Sequence, residues 1–126
     1  VTTMADASLA SLREVFAKAR FQHVPVVDQS NRLVGIVSVK DYFRELSPVM
    51  DSASDPSVSM FMRTRKVHQV MVSPVITIGE STAVKAAAAL LLQHNISCLA
   101  VVDEHKHLLG LVCHDLLTHK QIVEMY

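Results

Sequence analysis

The chain has 126 residues, half of them hydrophobic, enough to fill one compact core or two small half-cores that share an interface. Its twelve Lys and Arg balance twelve Asp and Glu, so no global field favours nucleic acid or an anionic membrane. The basic run Arg63-Thr64-Arg65-Lys66 is short and reads as a solvated helix face, and no stretch is apolar for long enough to insert directly into a membrane.

Residues 1 to 4 read as extended. Ser8 then opens a helix whose apolar positions Leu9, Leu12, Val15, Phe16 and Ala19 recur at helical spacing. Val24-Pro25-Val26-Val27 is a short β-branched run, and Asp28 to Asn31 form a polar turn that sends the chain back along Leu33 to Val37. A helix is expected from about Lys40 to Leu46, stopped by Ser47-Pro48. The small, polar stretch from Asp51 to Ser57 reads as a linker. Helix is expected to resume near Ser57 and to carry Met60, Phe61, Val67, Val70 and Met71 until Ser73-Pro74 breaks it.

From Val75 the plan starts again. Val75 to Ile78 reads as a strand, Thr82 as a helix cap and Val84 to Gln93 as a helix. Cys98 to Val102 is the next strand, Asp103 to His107 the turn, Leu108 to Val112 the return strand, and Asp115 onward a final helix. Val26-Val27-Asp28 matches Val101-Val102-Asp103, and Leu33-Val34-Gly35-Ile36-Val37 matches Leu108-Leu109-Gly110-Leu111-Val112, both in one register. Two blocks in one register mark an internal duplication. Val70 to Pro74 precedes the second copy and nothing equivalent precedes the first, which leads us to expect a polypeptide longer than this chain. The helix containing Ala86 to Leu92 has almost no polar face, so it needs cover on more than one side, and self-association is expected.

The two cysteines, Cys98 and Cys113, lie in no Cys-x-x-Cys pair and read as reduced and buried. Of the seven histidines, His105 and His107 flank a turn while His68, His94, His114 and His119 are scattered, so no metal site is expected. No Ser-His-Asp or Cys-His grouping, paired-carboxylate pattern or phosphate-cradling glycine loop stands out, and only three glycines are present, so the chain does not read as an enzyme.

The order strand, helix, Val-Val-Asp, turn, Leu-Val-Gly-Ile-Val-Ser and a following Asp resembles the cystathionine β-synthase (CBS) domain. The duplication resembles a CBS pair, or Bateman module. The most specific parts are His23-Val24-Pro25-Val26-Val27-Asp28 and Gly35-Ile36-Val37-Ser38-Val39-Lys40-Asp41. The resemblance implies an α+β fold of tandem βαββα units packed with pseudo-twofold symmetry. Its boundaries would be repeat 1 over 1–47, lacking its N-terminal part, a linker and connecting helix over 48–66, and repeat 2 over 67–126. It further implies a cytoplasmic regulatory module, commonly a homodimer, that binds AMP, ADP, ATP or S-adenosylmethionine between the repeats.

Ser38 and Asp41 occupy the positions that hold ribose in the family pattern. An ionised carboxylate accepts from both vicinal hydroxyls, and the start of a helix favours a nearby phosphate, to which Lys40 would add charge. The same Ser-x-x-Asp is also a capping signature that needs no ligand. By the resemblance the other repeat would supply Thr77 from its first strand and Ile96-Ser97-Cys98 around adenine, with Gln22 and His23 toward the ribose-phosphate side. The symmetry-related site would use Asp115, Thr3 and the segment from Phe21 to His23. There Cys113 replaces the hydroxyl residue and only His114 separates it from Asp115, so one competent site and one displaced site are expected. The alternative to ligand sensing is a ligand-free CBS pair that only dimerises a larger protein.

Overall fold

The computed structural model describes residues 1–19, 22–46, 56–115 and 120–125. Two sheets form the frame. Strand β1 (Thr3–Met4) runs parallel to β2 (His23–Val27), which pairs antiparallel with β3 (Leu33–Ser38). In the second sheet β4 (Thr77–Ile78) runs parallel to β5 (Cys98–Val102), followed by antiparallel β6 (Leu108–Asp115) and β7 (Lys120–Met125). Helices α1 (Leu9–Lys18), α2 (Val39–Leu46), α3 (Pro56–Thr64) and α4 (Val84–Gln93) complete the described structure.

The duplication is carried down to the hydrogen-bond register. His23 faces Ser38 and Val26 faces Gly35 in the first hairpin, as Cys98 faces Cys113 and Val101 faces Gly110 in the second, and both hairpins shift register at the same place, Val26/Val27 and Val101/Val102. The turns match too. The Asp28 carboxylate accepts from the N–H groups of Ser30 and Arg32, that of Asp103 from those of His105 and His107, and Asn31 and Lys106 both take positive φ to close the reversal.

Equivalent residues also meet each other, which fixes the symmetry axis. Leu33 N–H donates to the Lys106 carbonyl at 2.9 Å and Leu108 N–H donates to the Asn31 carbonyl at 2.9 Å, reciprocal bonds on either side of an Arg32–His107 bridge. The pseudo-twofold therefore passes between the turn tips at one end. At the other end His23 meets its own counterpart Cys98. Between them Val27, Ala100, Leu108 and Leu111 form a buried core to which both repeats contribute.

Each repeat closes its own core around this axis. Ser8 caps α1 by accepting from Ser11 N–H, and the helix buries Leu9 and Leu12 against Val24, Val26, Val37 and Tyr42. In the second repeat α4 buries only Ala87 and Leu91, against Ile78, Leu99 and Val112. Its other faces are bare, with Val84 65% and Leu92 79% exposed. The described chain thus covers one side of a helix that is apolar nearly all round.

Three local readings change. The helix expected through Met71 ends at Thr64, whose hydroxyl donates to the Met60 carbonyl, and Val67 sits on a separate 3₁₀ turn, Val67–Gln69. Thr82 does not cap α4: its hydroxyl accepts from Gly79 N–H, and the cap position falls on Ala83. The final helix expected from Asp115 is replaced by the continuation of β6 and by β7. The β-branched pair Ile122-Val123 suits a strand, and that pairing satisfies an edge of β6 that a helix would leave open. The linker residues 47–55 lie outside the described part.

The segment entering repeat 2 returns to repeat 1. Val72 exchanges hydrogen bonds with Ile36, N–H to carbonyl in both directions at 2.8 and 3.1 Å. Gly35 makes this approach possible, because a Cβ there would lie 2.5 Å from Met71 Sδ and 3.2 Å from the Val72 carbonyl oxygen.

Candidate functional site

The candidate site is built where β3 hands over to α2. Ser38 Oγ accepts from Asp41 N–H at 3.0 Å and donates to Asp41 Oδ2 at 2.8 Å, while Oδ2 also accepts from Ser38 N–H at 3.1 Å. This is a complete capping box, formed from the chain alone. Both residues take part in it, in keeping with the Ser-x-x-Asp spacing. Among the described residues the remaining oxygen, Oδ1, is held by Arg44 alone, at 3.3 Å, and the Arg44 side chain is 74% exposed. A carboxylate has about four lone-pair sites. Two are used at Oδ2, and the exposed guanidinium is easily displaced from the third, so Asp41 keeps acceptor capacity toward a ligand.

The first turn of α2 is tied to the strand beside it, since Val39 N–H donates to the Gln22 carbonyl at 2.9 Å. That bond sets Gln22 and His23 next to Ser38 and Asp41. Across the repeat boundary His23 Nε2 lies 3.5 Å from Ser97 Oγ. Burial pushes the His23 pKa below its ordinary 6.5, and the neighbouring Asp41 carboxylate offsets this only in part. Neutral His23 is therefore a hydrogen-bonding group rather than a cation near neutral pH.

The second repeat reaches this point through the end of α4. Asn95 takes positive φ, its N–H donates to the Leu92 carbonyl, and Ile96 N–H donates to the Leu91 carbonyl, a Schellman motif that turns the chain directly into β5. Ile96 packs into the core beneath α4, Ser97 is half-buried beside His23, and Cys98 is buried on the axis. Cys98 and Cys113 bring their sulfurs to 3.1 Å, and this hydrogen bond, with burial and the Cys113 charge adding to it, holds the Cys98 thiol protonated far above its ordinary range.

The structure thus gathers Ser38, Asp41, Gln22, His23, Ser97 and Cys98 at one junction. Lys40 is exposed on the first turn of α2. Thr77 pairs with Ala100 on β5, two residues along from Cys98, and with Leu33, Val34, Pro74, Val102 and Lys106 it lines a cavity of about 210 Å³. Thr3 is buried on β1, and Asp115 is the last residue of β6, whereas Asp41 lies in the first turn of α2. Phe21 lies outside the described residues.

Comparison with known proteins settles the family. The CBS domain model matches residues 1–48 and again 67–119. The chain belongs to the CBS-domain family. The CBS domain of a CBS domain-containing membrane protein from Sphaerobacter thermophilus superposes with a TM-score of 0.75 at 28% identity, covering 95% of this chain and 81% of that one. The CBS domain pair of protein MJ0100, solved in complex with methylthioadenosine and S-adenosyl-L-methionine, gives a TM-score of 0.73 at 25% identity, covering 90% of this chain and 83% of that one. CBSX2 in complex with AMP gives 0.69 at 25% identity, covering 90% and 80%. Among curated proteins, inosine-5′-monophosphate dehydrogenase of Mycobacterium leprae is 33% identical over 113 residues, 89% of this chain and 18% of that protein. This chain spans between 18% and 24% of the length of the curated relatives it matches. It is an α+β pair of CBS repeats. No helix among the described residues is long and apolar enough to cross a membrane.

A grouping that sequence spacing hides is also present. His23, Cys98 and Cys113 offer donor atoms that all lie within 4.8 Å of one another. They come from three strands, so no local spacing reveals them. The signal lies in the repeat register: His23 occupies the position of Cys98, and Ser38 that of Cys113.

Proposed function

We propose that this CBS pair is a regulatory module that binds an adenosine-containing ligand, AMP, ADP, ATP or S-adenosylmethionine, at the junction of its two repeats, and that it is not itself catalytic. The observation that carries the reading is Asp41: a carboxylate positioned by its own capping box at the start of α2, with Oδ1 held, among the described residues, by one exposed arginine, and set beside groups from the other repeat. Oδ1 would accept from ribose hydroxyls, the amide end of α2 with Lys40 would face phosphate, and His23 and Ser97 would bond the ligand from opposite repeats. Because the ligand would bridge both repeats, its binding would favour one relative placement of the two, which is what a regulatory readout needs. The adenosyl ligands of the MJ0100 and CBSX2 structures support the ligand class. A single site built on Asp41 fits the asymmetry at Asp115, and a cytoplasmic setting fits both reduced cysteines and the ligand class.

Isothermal titration with AMP, ADP, ATP, S-adenosylmethionine and NADH tests this against wild type and Asp41→Asn. The expected result is one site per chain for at least one adenosyl ligand, weakened at least about tenfold in the variant, the loss of a charge-assisted hydrogen bond. Silence from every ligand at millimolar concentration would remove the reading.

The second reading, a ligand-free pair that only dimerises a larger protein, is favoured by the capping box being satisfied without a ligand and by the bare face of α4. We place the self-association surface on that face, with Val84 and Leu92 at its centre; it would serve either reading.

A further inference from the structure

We propose that His23, Cys98 and Cys113 form a binding site for a thiophilic divalent cation of the zinc type, on the pseudo-twofold axis between the repeats. The two sulfurs are 3.1 Å apart, the imidazole completes a group within 4.8 Å, and both cysteines are buried. At zinc distances of about 2.3 Å to sulfur and about 2.0 Å to nitrogen, tetrahedral donors stand roughly 3.4 to 3.8 Å apart, so small side-chain movements suffice. Two thiols and one imidazole are the donor set of zinc centres that keep a fourth position open for an exogenous ligand. Charge favours the site as well: on binding, two thiol protons leave to solvent, and the cation, two thiolates and a neutral imidazole sum to zero, so no net charge is buried.

The donors are held by the frame rather than by mobile loops. Cys98 and Cys113 are direct partners on β5 and β6, and His23 is fixed on β2 by its pairing with Ser38. Ser97 Oγ, 3.5 Å from His23 Nε2, is positioned to orient the ring. The site arises only because repeat 2 carries cysteines where repeat 1 carries His23 and Ser38. A cation here would join β2 of one repeat to β5 and β6 of the other, stiffening the same junction that the adenosyl reading uses, but it stands without that reading.

The test is anaerobic titration of the reduced full chain with Co²⁺ as a spectroscopic probe, followed by displacement with Zn²⁺. The expected outcome is one ion per chain, a near-ultraviolet thiolate-to-cobalt charge-transfer band with visible bands of tetrahedral intensity, and bleaching on addition of Zn²⁺. Cys98→Ser and Cys113→Ser should abolish the charge-transfer band or halve it, with Zn²⁺ affinity down at least about 100-fold, beyond the 10–100-fold typical of outer-shell losses. Cys113→Ser copies the residue that repeat 1 already carries at Ser38, so the fold should tolerate it, and far-ultraviolet circular dichroism checks this. His23→Gln should keep the charge-transfer band while shifting the visible bands and weakening binding at least about tenfold. Absence of the band in wild type, its persistence unchanged in Cys98→Ser, or an unaltered visible spectrum in His23→Gln would each overturn the proposal.

Discussion

The capping box at Ser38 and Asp41 gives the sharpest prediction about the free chain. Ser38→Ala removes the acceptor for Asp41 N–H and the donor to Oδ2, and Asp41→Ala removes the acceptor for both Ser38 groups. Each should destabilise by about 1 kcal/mol, the usual cost of a lost N-terminal cap. The Arg44 contact adds little, because its side chain is 74% exposed and ion pairs of that kind contribute near zero. The two residues serve one another, so the double variant should lose about 1 to 1.5 kcal/mol, leaving a coupling of about 0.5 to 1 kcal/mol. Urea unfolding followed by circular dichroism, with the slope checked for constancy, measures all four corners of this cycle. Strictly additive losses would show that the carboxylate and hydroxyl do not hold one another in solution, and with that the positioning of Asp41 for a ligand would fall.

Gly35→Ala should cost about 1 to 3 kcal/mol in the same assay, because the Met71 side chain can swing away from the new methyl whereas the Val72 carbonyl, bonded to Ile36, cannot. Leu92→Glu should leave unfolding nearly unchanged, since the side chain is 79% exposed, yet weaken self-association at least about tenfold by light scattering; an unchanged oligomer would move the interface off α4. The N–H of Arg32, and then that of Ser30, hold the Asp28 carboxyl below its ordinary 3.8. The folded chain then binds fewer protons than the unfolded one in that region, so this stabilisation is complete above pH 3.8 and is lost as pH falls through the lowered pKa. Asp28→Asn should flatten that acid limb, and an identical pH profile would refute the assignment.

Much of the frame was readable because the duplication constrains itself. Once Val26-Val27-Asp28 was matched to Val101-Val102-Asp103, the hairpins, their turns and the Val84–Gln93 helix followed from period and turn chemistry. Where repeat 2 departs from repeat 1, in which Ser8 caps α1 and α2 follows β3, the expected elements did not form. Thr82 had the chemistry of a cap but was drawn to Gly79 N–H, and the C-terminal stretch containing Ile122-Val123 followed the open edge of β6 instead of a helical pattern. At the site, Ser38 and Asp41 are three residues apart and their partnership is local, hence legible. Contacts across the axis are not local. His23 with Ser97, and Cys98 with Cys113 and His23, depend on how two sheets dock, which no spacing encodes. Thr77 is placed by its pairing with Ala100 on β5 and by a cavity shared with Leu33 and Lys106, neither of which its own short strand reveals.

The central claim, an adenosyl site at the junction of the repeats, is tested most directly by amide chemical shifts in a titration with AMP and S-adenosylmethionine. The largest changes should fall on His23, Ser38, Asp41 and Ser97, residues from both repeats responding with one shared dissociation constant. Changes confined to one repeat or to the Thr77–Ser81 segment, or none at millimolar ligand, would contradict it.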